Sequence, residues 1–338
     1  MNKLKVISLF SGYGTQELSL NYIGVNYENV ANSDILNMAN VAYDSLHTTT
    51  LGNLGDIMKI DENNFPKCDL LTYSYPCQDI SISGVQKGIK KGTRSGLLFE
   101  VERILTQNQP KYLLMENVKN LISNNHIKQF QEHITFLNEL GYGCSWRVFN
   151  GADFGCPQNR ERVFMMSVYG MTNEEVNEVM NGVDSHKKER VPMKPHIENI
   201  VDESLFIECD ITPNDPKKNS VCKLIARRND VNYDQARRIY SVDGCSPCLT
   251  TTGSPQIMTE DGKIRYISAR EAYRFMGVKE YDIDRLLSTN LTIKNHVALA
   301  GNSICVPVME AIFSEFLNEY IFVEQTKNET INDEGIIG

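Results

Sequence analysis

The stretch Leu70-Leu71-Thr72-Tyr73-Ser74-Tyr75-Pro76-Cys77-Gln78-Asp79-Ile80 constrains this chain most. An apolar, β-prone run opens after Asp69 and stops at a proline followed at once by a cysteine. Proline fixes its own backbone and holds the residue before it extended, so a buried strand ends there and a thiol is presented where a loop begins. In open α/β sheets ligands bind outside the carboxyl ends of the strands, and a loop anchored by a rigid strand can aim a side chain at them. Cys77 is therefore a candidate nucleophile, or else one more small core thiol, since free cysteine is among the most buried residue types.

At 338 residues the chain exceeds the size at which a single core stops growing, so one large and one smaller lobe are expected. A hydrophobic content of 41% with 23% charged residues describes a globular protein, and no apolar run stands out as long enough to span a bilayer. Met1 to Ile7 moves straight into a strand without a cleavable leader, so the expectation is a cytoplasmic protein without a membrane partner. Nine scattered cysteines read as reduced thiols. Cys245-Ser246-Pro247-Cys248, with Cys209 and Cys222 upstream, raises a structural zinc, but one close pair and two singles fall short of a two-pair pattern and no metal is expected. A formal charge of −9 argues against a chain that coats nucleic acid, yet seven basic residues stand against two acidic ones between Lys217 and Arg238. That segment is a solvated face or the face that meets phosphate.

Along the chain, Lys5 to Phe10 reads as a buried strand, and Ser11-Gly12-Tyr13-Gly14-Thr15 as a turn entering a helix. Glycines let that backbone come close to a ligand, and Asp34, at the end of the next strand, stands where an acid would accept ribose hydroxyls. Glu17 occupies the place of a third glycine, which disfavours a pyrophosphate cofactor. Gly55-Asp56-Ile57 repeats the arrangement with an apolar residue able to lie against an adenine ring. Gln86 to Ser95 reads as a long loop able to act as a lid, and Leu97 to Ile104 as a helix. Tyr112 to Val118 is a further buried strand that closes on Glu116, a partly desolvated acid with a raised pKa or a cap for the next segment. His126 to Leu140 reads as a helix, Gly143 to Phe149 as a strand, and alternation puts Gln158, Arg160 and Arg162 on one side of another. From Gly170 to about Pro255 periodicity fades and polar residues rise, which places the smaller lobe there. Ser268 to Met276 is read as a short helix with Arg270 and Arg274 on one face, and a last helix runs to about Phe322.

Taken together and in order, Phe10-Ser11-Gly12-Tyr13-Gly14, Asp34, Gly55-Asp56-Ile57, Pro76-Cys77-Gln78, Glu116-Asn117-Val118, Gln158-Asn159-Arg160-Glu161-Arg162, Arg270-Glu271 with Arg274, and Gly301-Asn302-Ser303 carry a resemblance. From about Val6 to Phe322 the sequence resembles the DNA (cytosine-5) methyltransferases of prokaryotes and their phages. It departs from them where Asp34 replaces the usual glutamate, where Tyr13 and Thr15 replace smaller residues, and where Cys248 stands in place of a threonine.

The resemblance implies an α/β fold: a Rossmann-like S-adenosylmethionine-dependent methyltransferase large domain with a smaller, irregular, mostly β target-recognition domain. The boundaries expected are 1–169 for catalysis and cofactor, 170–295 for the small domain with target recognition at 170–255, 296–323 returning to the large domain, and a disordered tail at 324–338. It implies Cys77 as nucleophile at cytosine carbon 6, Glu116 as the acid at ring nitrogen 3, Arg162 on the ring carbonyl and Arg160 in support, acting on a base flipped out of double-stranded DNA. For S-adenosyl-L-methionine, leaving as S-adenosyl-L-homocysteine, it implies Phe10, Gly12, Gly14, Asp34, Asp56, Ile57, Pro76, Leu97, Asn302 and Ser303. DNA contacts are expected from Gln78, Ser81, Arg94, Gln158, Arg227, Arg228, Arg237, Arg238, Thr250 and Thr251. The expected protein is a monomer, with a cognate restriction endonuclease acting separately as a partner. RNA cytosine-5 methylation is the alternative chemistry, and a catalytically silent DNA-binding regulator the alternative class.

Overall fold

The computed structural model describes residues 3–76, 95–217, 220–251 and 253–321. A six-stranded sheet is built from β1 (Leu4–Leu9), β2 (Tyr27–Ser33), β3 (Leu70–Tyr73), β4 (Tyr112–Val118), β5 (Tyr142–Asn150) and β6 (Glu161–Tyr169) in the order β2-β1-β3-β4-β6-β5. The first four strands in that order are parallel, β6 runs antiparallel to β4, and β5 antiparallel to β6. Alternate residues of β4 enter two separate cores: Tyr112 and Leu114 on one face, Leu113 and Met115 on the other. Burial on both faces is why these strands read as unbroken apolar runs.

One face is covered by α3 (Leu98–Gln107) and α4 (Ile127–Glu139), through Val101, Ile104, Phe130 and Leu137. The opposite face carries α1 (Thr15–Tyr22), α2 (Asn37–Leu46) and α5 (Asn173–Gly182), together with the C-terminal helices. The helix α5 follows the Gly170 boundary expected for the smaller lobe, yet packs its Val176 and Met180 into the large core beside β5. A capping box starts it: the Thr172 hydroxyl accepts from the Glu175 N–H and Glu175 accepts from the Thr172 N–H.

A second, five-stranded sheet has the order β11-β10-β9-β8-β7, from β7 (Ile211–Pro213), β8 (Leu224–Arg228), β9 (Arg238–Ser241), β10 (Gln256–Met258) and β11 (Ile264–Tyr266), with the short α6 (Asp234–Arg237) before β9. The chain then returns to the large core as α7 (Ala269–Phe275), α8 (Glu280–Leu287), α9 (Ile293–Asn302) and α10 (Val306–Phe316). The last of these ends six residues before the expected Phe322, and α8 and α9 fall in a stretch with no element expected from the sequence. Ile293–Phe316 has the length and mean composition to cross a bilayer, but it is split into α9 and α10 around 303–305 and is mostly buried inside the protein. At the junction of the two sheets Arg265 and Glu271, both fully buried, form a two-pronged ion pair, and Glu271 also accepts from the Ser268 N–H at the head of α7.

Candidate active site

Parallel strands bring their carboxyl ends to one edge, and that edge gathers the expected residues. At the end of β1 the backbone turns through Phe10, Gly12 and Gly14 with φ of 55°, 57° and 80°. Space beside Gly12 is open, whereas a Cβ on Gly14 would collide with the His47 imidazole. Burial holds that imidazole neutral, at about 4, and its Nε2–H donates to the Tyr13 carbonyl. Gly14→Ala is expected to cost about 1–3 kcal/mol of stability, from φ strain and the clash together, and to raise KM for the methyl donor more than it lowers kcat. Thermal unfolding and initial-rate kinetics check both parts.

Asp34 Oδ2 accepts the Gly12 N–H at 2.9 Å and its Oδ1 the Leu36 N–H at 2.8 Å, so the carboxylate is pinned against the glycine turn. Burial pushes its pKa up, while those N–H groups pull it down. Asn53 fastens this loop to the next: its Oδ1 accepts from the N–H of Asp34 and of Gly55, and its Nδ2–H donates to the Asp34 carbonyl. Sequence reading missed Asn53, whose role exists only once the two loops meet. Asp56 caps a short turn by accepting the Met58 N–H. Ile57, expected against adenine, is buried and packs with the core on the α3 face. The exposed apolar side chains of these loops are Ile35, 69% exposed, and Met58, 64% exposed, with Leu36 beside them. An open glycine turn, a carboxylate and exposed apolar side chains on adjoining loops suit a ligand with a cationic amino-acid end, a sugar and a flat ring. S-adenosylmethionine fits that description, and the fold family implies it.

Glu116 sits near the end of β4 with 8% exposure. β6 begins at the same edge because it runs antiparallel, so Arg162 lies opposite Val118 and its Nε reaches Glu116 Oε1 at 3.2 Å. Burial pushes the Glu116 carboxyl above its ordinary range, against the pull of Arg162, Arg160 and a hydrogen bond from Ser74. Next to Glu116, the Asn117 amide donates to the Tyr75 carbonyl at 3.2 Å and ties this edge to the approach to Pro76. Cys77, Gln78, Ser81, Arg94 and most of the loop expected at Gln86 to Ser95 lie outside the described residues, as does the 324–338 tail.

Arg160 is buried and acts as a knot: its guanidinium donates to the carbonyls of Leu249, Gly301 and Ser303. These bonds lock the 249–251 loop and the end of α9 to the start of β6, and Gly301 lacks a side chain because the Thr250 backbone lies where its Cβ would be. Asn302 is exposed there, while Ser303 is buried and its hydroxyl meets the Tyr13 hydroxyl at 2.9 Å. Tyr13, larger than the residue usual in such a turn, thus links the cofactor-side loop to the C-terminal segment. Leu97 is half-buried against the core that holds α3.

Two DNA-contact expectations need correction. Gln158 is fully buried: its Oε1 accepts the Leu249 N–H, and its Nε2–H donates to the Phe275 carbonyl. The regular strand begins only at Glu161, so the alternation read over Gln158, Arg160 and Arg162 does not set their directions. Arg228 is also buried, bonded to Asp230 through Nε at 2.9 Å. Arg227 and Arg238 both pair with Asp234, and Arg237 Nε–H donates to the Arg228 carbonyl. Three of the segment's arginines are therefore paired with its two acids, Asp230 and Asp234. Thr250 and Thr251 are exposed.

The comparisons agree with this geometry. The family model for C-5 cytosine-specific DNA methylases matches residues 4–318. The chain is 30% identical to the type II methyltransferase M2.ScrFI of Lactococcus lactis subsp. cremoris, over 92% of this chain and 98% of that one. It is 34% identical to the orphan methyltransferase M.SssI of Spiroplasma monobiae, over 78% of this chain and 69% of that one. The crystal structure of the S. pombe Dnmt2 methyltransferase shares the fold, with a TM-score of 0.71 at 22% identity, over 95% of this chain and 100% of that one. A match over nearly the whole length, on a mixed sheet whose edge carries the buried Glu116 and its partner Arg162, makes this chain a member of the C-5 cytosine-specific DNA methylase family.

Proposed function

We propose that the protein methylates carbon 5 of cytosine within specific sequences of double-stranded DNA, by adding Cys77 to carbon 6 of a base turned out of the helix. Cytosine-5 methylation of DNA follows from family membership; the duplex, the extruded base and the residue roles are the proposal. The observation that carries it is the buried Glu116 beside Arg162, at the strand end that Asn117 ties to the approach to Pro76-Cys77.

The target atoms are stacked inside a duplex, so the base must leave the stack. The Cys77 thiolate forms a bond to carbon 6, and the electron pair of the 5,6 double bond moves to carbon 5. Glu116 gives its proton to nitrogen 3, and Arg162 faces the ring carbonyl where charge develops. S-adenosyl-L-methionine, when bound, supplies the methyl group and leaves as S-adenosyl-L-homocysteine. Loss of the carbon 5 proton to solvent, return of the nitrogen 3 proton to Glu116 and breakage of the carbon–sulfur bond restore the ring. Phe10, Gly12 and Gly14 would hold the donor's methionine end, Asp34 its ribose, and Asp56 with exposed Ile35 and Met58 its adenine, while Pro76, Leu97, Asn302 and Ser303 close the pocket. Duplex readout falls to the second sheet and the 245–251 loop, with Arg237, Thr250 and Thr251 at the DNA. The protein acts as a monomer, separately from any cognate endonuclease.

Bisulfite sequencing of DNA from cells expressing the chain tests this. The expected result is protection of cytosine within one short recurring sequence; no protected cytosine would refute it.

A further inference from the structure

Cys248 belongs to the loop between β9 and β10, and its sulfur lies between the two guanidiniums of the site. Arg160 Nη1 stands 3.1 Å from it and Arg162 Nη2 3.6 Å. The remaining bonds of Arg160 go to backbone carbonyls, while Arg162 donates to the Glu161 carbonyl and pairs with Glu116. A continuous line of contacts therefore runs from the 245–251 loop through Cys248 and Arg162 to the buried acid. The same loop is strapped to the approach to β6: Ser246 N–H donates to the Pro157 carbonyl and Asn159 N–H to the Ser246 carbonyl. A hydroxyl at this place would stay neutral, whereas a thiol can ionise.

Building on the cytosine reading above, we propose that Cys248 is a positioning residue whose sulfur holds Arg162 against Glu116, so that the loop of the second sheet sets the geometry at the reacting base. The charged and titratable groups around the sulfur are Arg160 and Arg162 at the start of β6, Glu116 beyond Arg162, Cys305 before α10 and Cys222 before β8. Burial pushes the Cys248 thiol up, but the two guanidiniums outweigh it and the net direction is down. Where the thiol is ionised, its charge offsets part of the positive charge that draws Glu116 toward ionisation, so Glu116 then keeps its proton to higher pH than it would beside a neutral residue.

The test is single-turnover methyl transfer to a cytosine-containing duplex across the pH range, for wild type, Cys248→Ser and Cys248→Ala. Alanine is expected to lower the rate about tenfold, serine less, and both to move the alkaline limb of the rate profile to lower pH. Two results overturn the role: both variants following wild type in rate and limb, or both falling equally with the limb unmoved, which is loss of packing alone. A fluorocytosine duplex run beside them separates the two readings. Wild type that forms no covalent adduct sinks the cytosine-5 mechanism itself, whereas an adduct with unmoved variants sinks only the role of Cys248.

Discussion

Cys77→Ser is expected to abolish covalent capture of a duplex carrying 5-fluorocytosine, while wild type with S-adenosyl-L-methionine forms an adduct that survives denaturation. Fluorine at carbon 5 cannot leave as a proton, so the sulfur–carbon bond has no route to breakage and the adduct accumulates. Serine offers the same shape but a hydroxyl whose ionised fraction at neutral pH is negligible, whereas a free thiol is already a few per cent thiolate. Methyl transfer to ordinary cytosine should fall by at least ~10³-fold, the scale of loss when a covalent nucleophile is removed. The substitution should leave the fold intact, because β3 ends at Tyr73 and the Asn117 bond to Tyr75 does not depend on the side chain at 77. Equal capture by both proteins would refute the assignment.

The strands were legible in the sequence because their burial is two-sided. Tyr112 to Val118 is an apolar run with no charge before Glu116, and β4 has those bounds. The glycine turn was legible because only glycine adopts the positive φ at Gly12 and Gly14 without strain. What could not be read is pairing between residues distant in the chain. Gln158 looks like a polar reader of bases until its amide is found bonded to Leu249 and Phe275, far along the sequence. A short-range pairing was missed as well: Arg227 and Arg238, expected at phosphate, both meet Asp234 within the same segment. Arg160, expected in support of the site, is the buried tie that joins β6, the 249 loop and the end of α9, partners the sequence does not name. A helix such as α5 hides for a different reason: its exposed face is so polar that the capping box at Thr172 is a stronger signal than its two core residues.

Glu116→Gln should separate catalysis from stability. Glutamine keeps the shape and an N–H donor but has no proton to give to nitrogen 3, so methyl transfer is expected to fall by ~10²–10⁴-fold, the usual worth of a general acid. Stability should move the other way, and increasingly so with pH. Burial holds the Glu116 carboxyl above its ordinary range, so the folded chain keeps this proton at pH values where the unfolded chain has lost it. The contribution to folding is full below the ordinary glutamate pKa of about 4.3 and is lost as pH rises through the higher folded value. At alkaline pH wild type must carry a buried carboxylate that the Arg162 and Arg160 charges only partly offset, whereas the glutamine variant carries none. Its melting temperature should therefore exceed that of wild type at alkaline pH, with the gap closing as pH falls toward about 4. Melting curves across this range decide the matter. A wild type that is the more stable protein at alkaline pH, by a margin that grows with pH, would mean that the arginines outweigh burial and that Glu116 rests ionised, unable to serve as the acid.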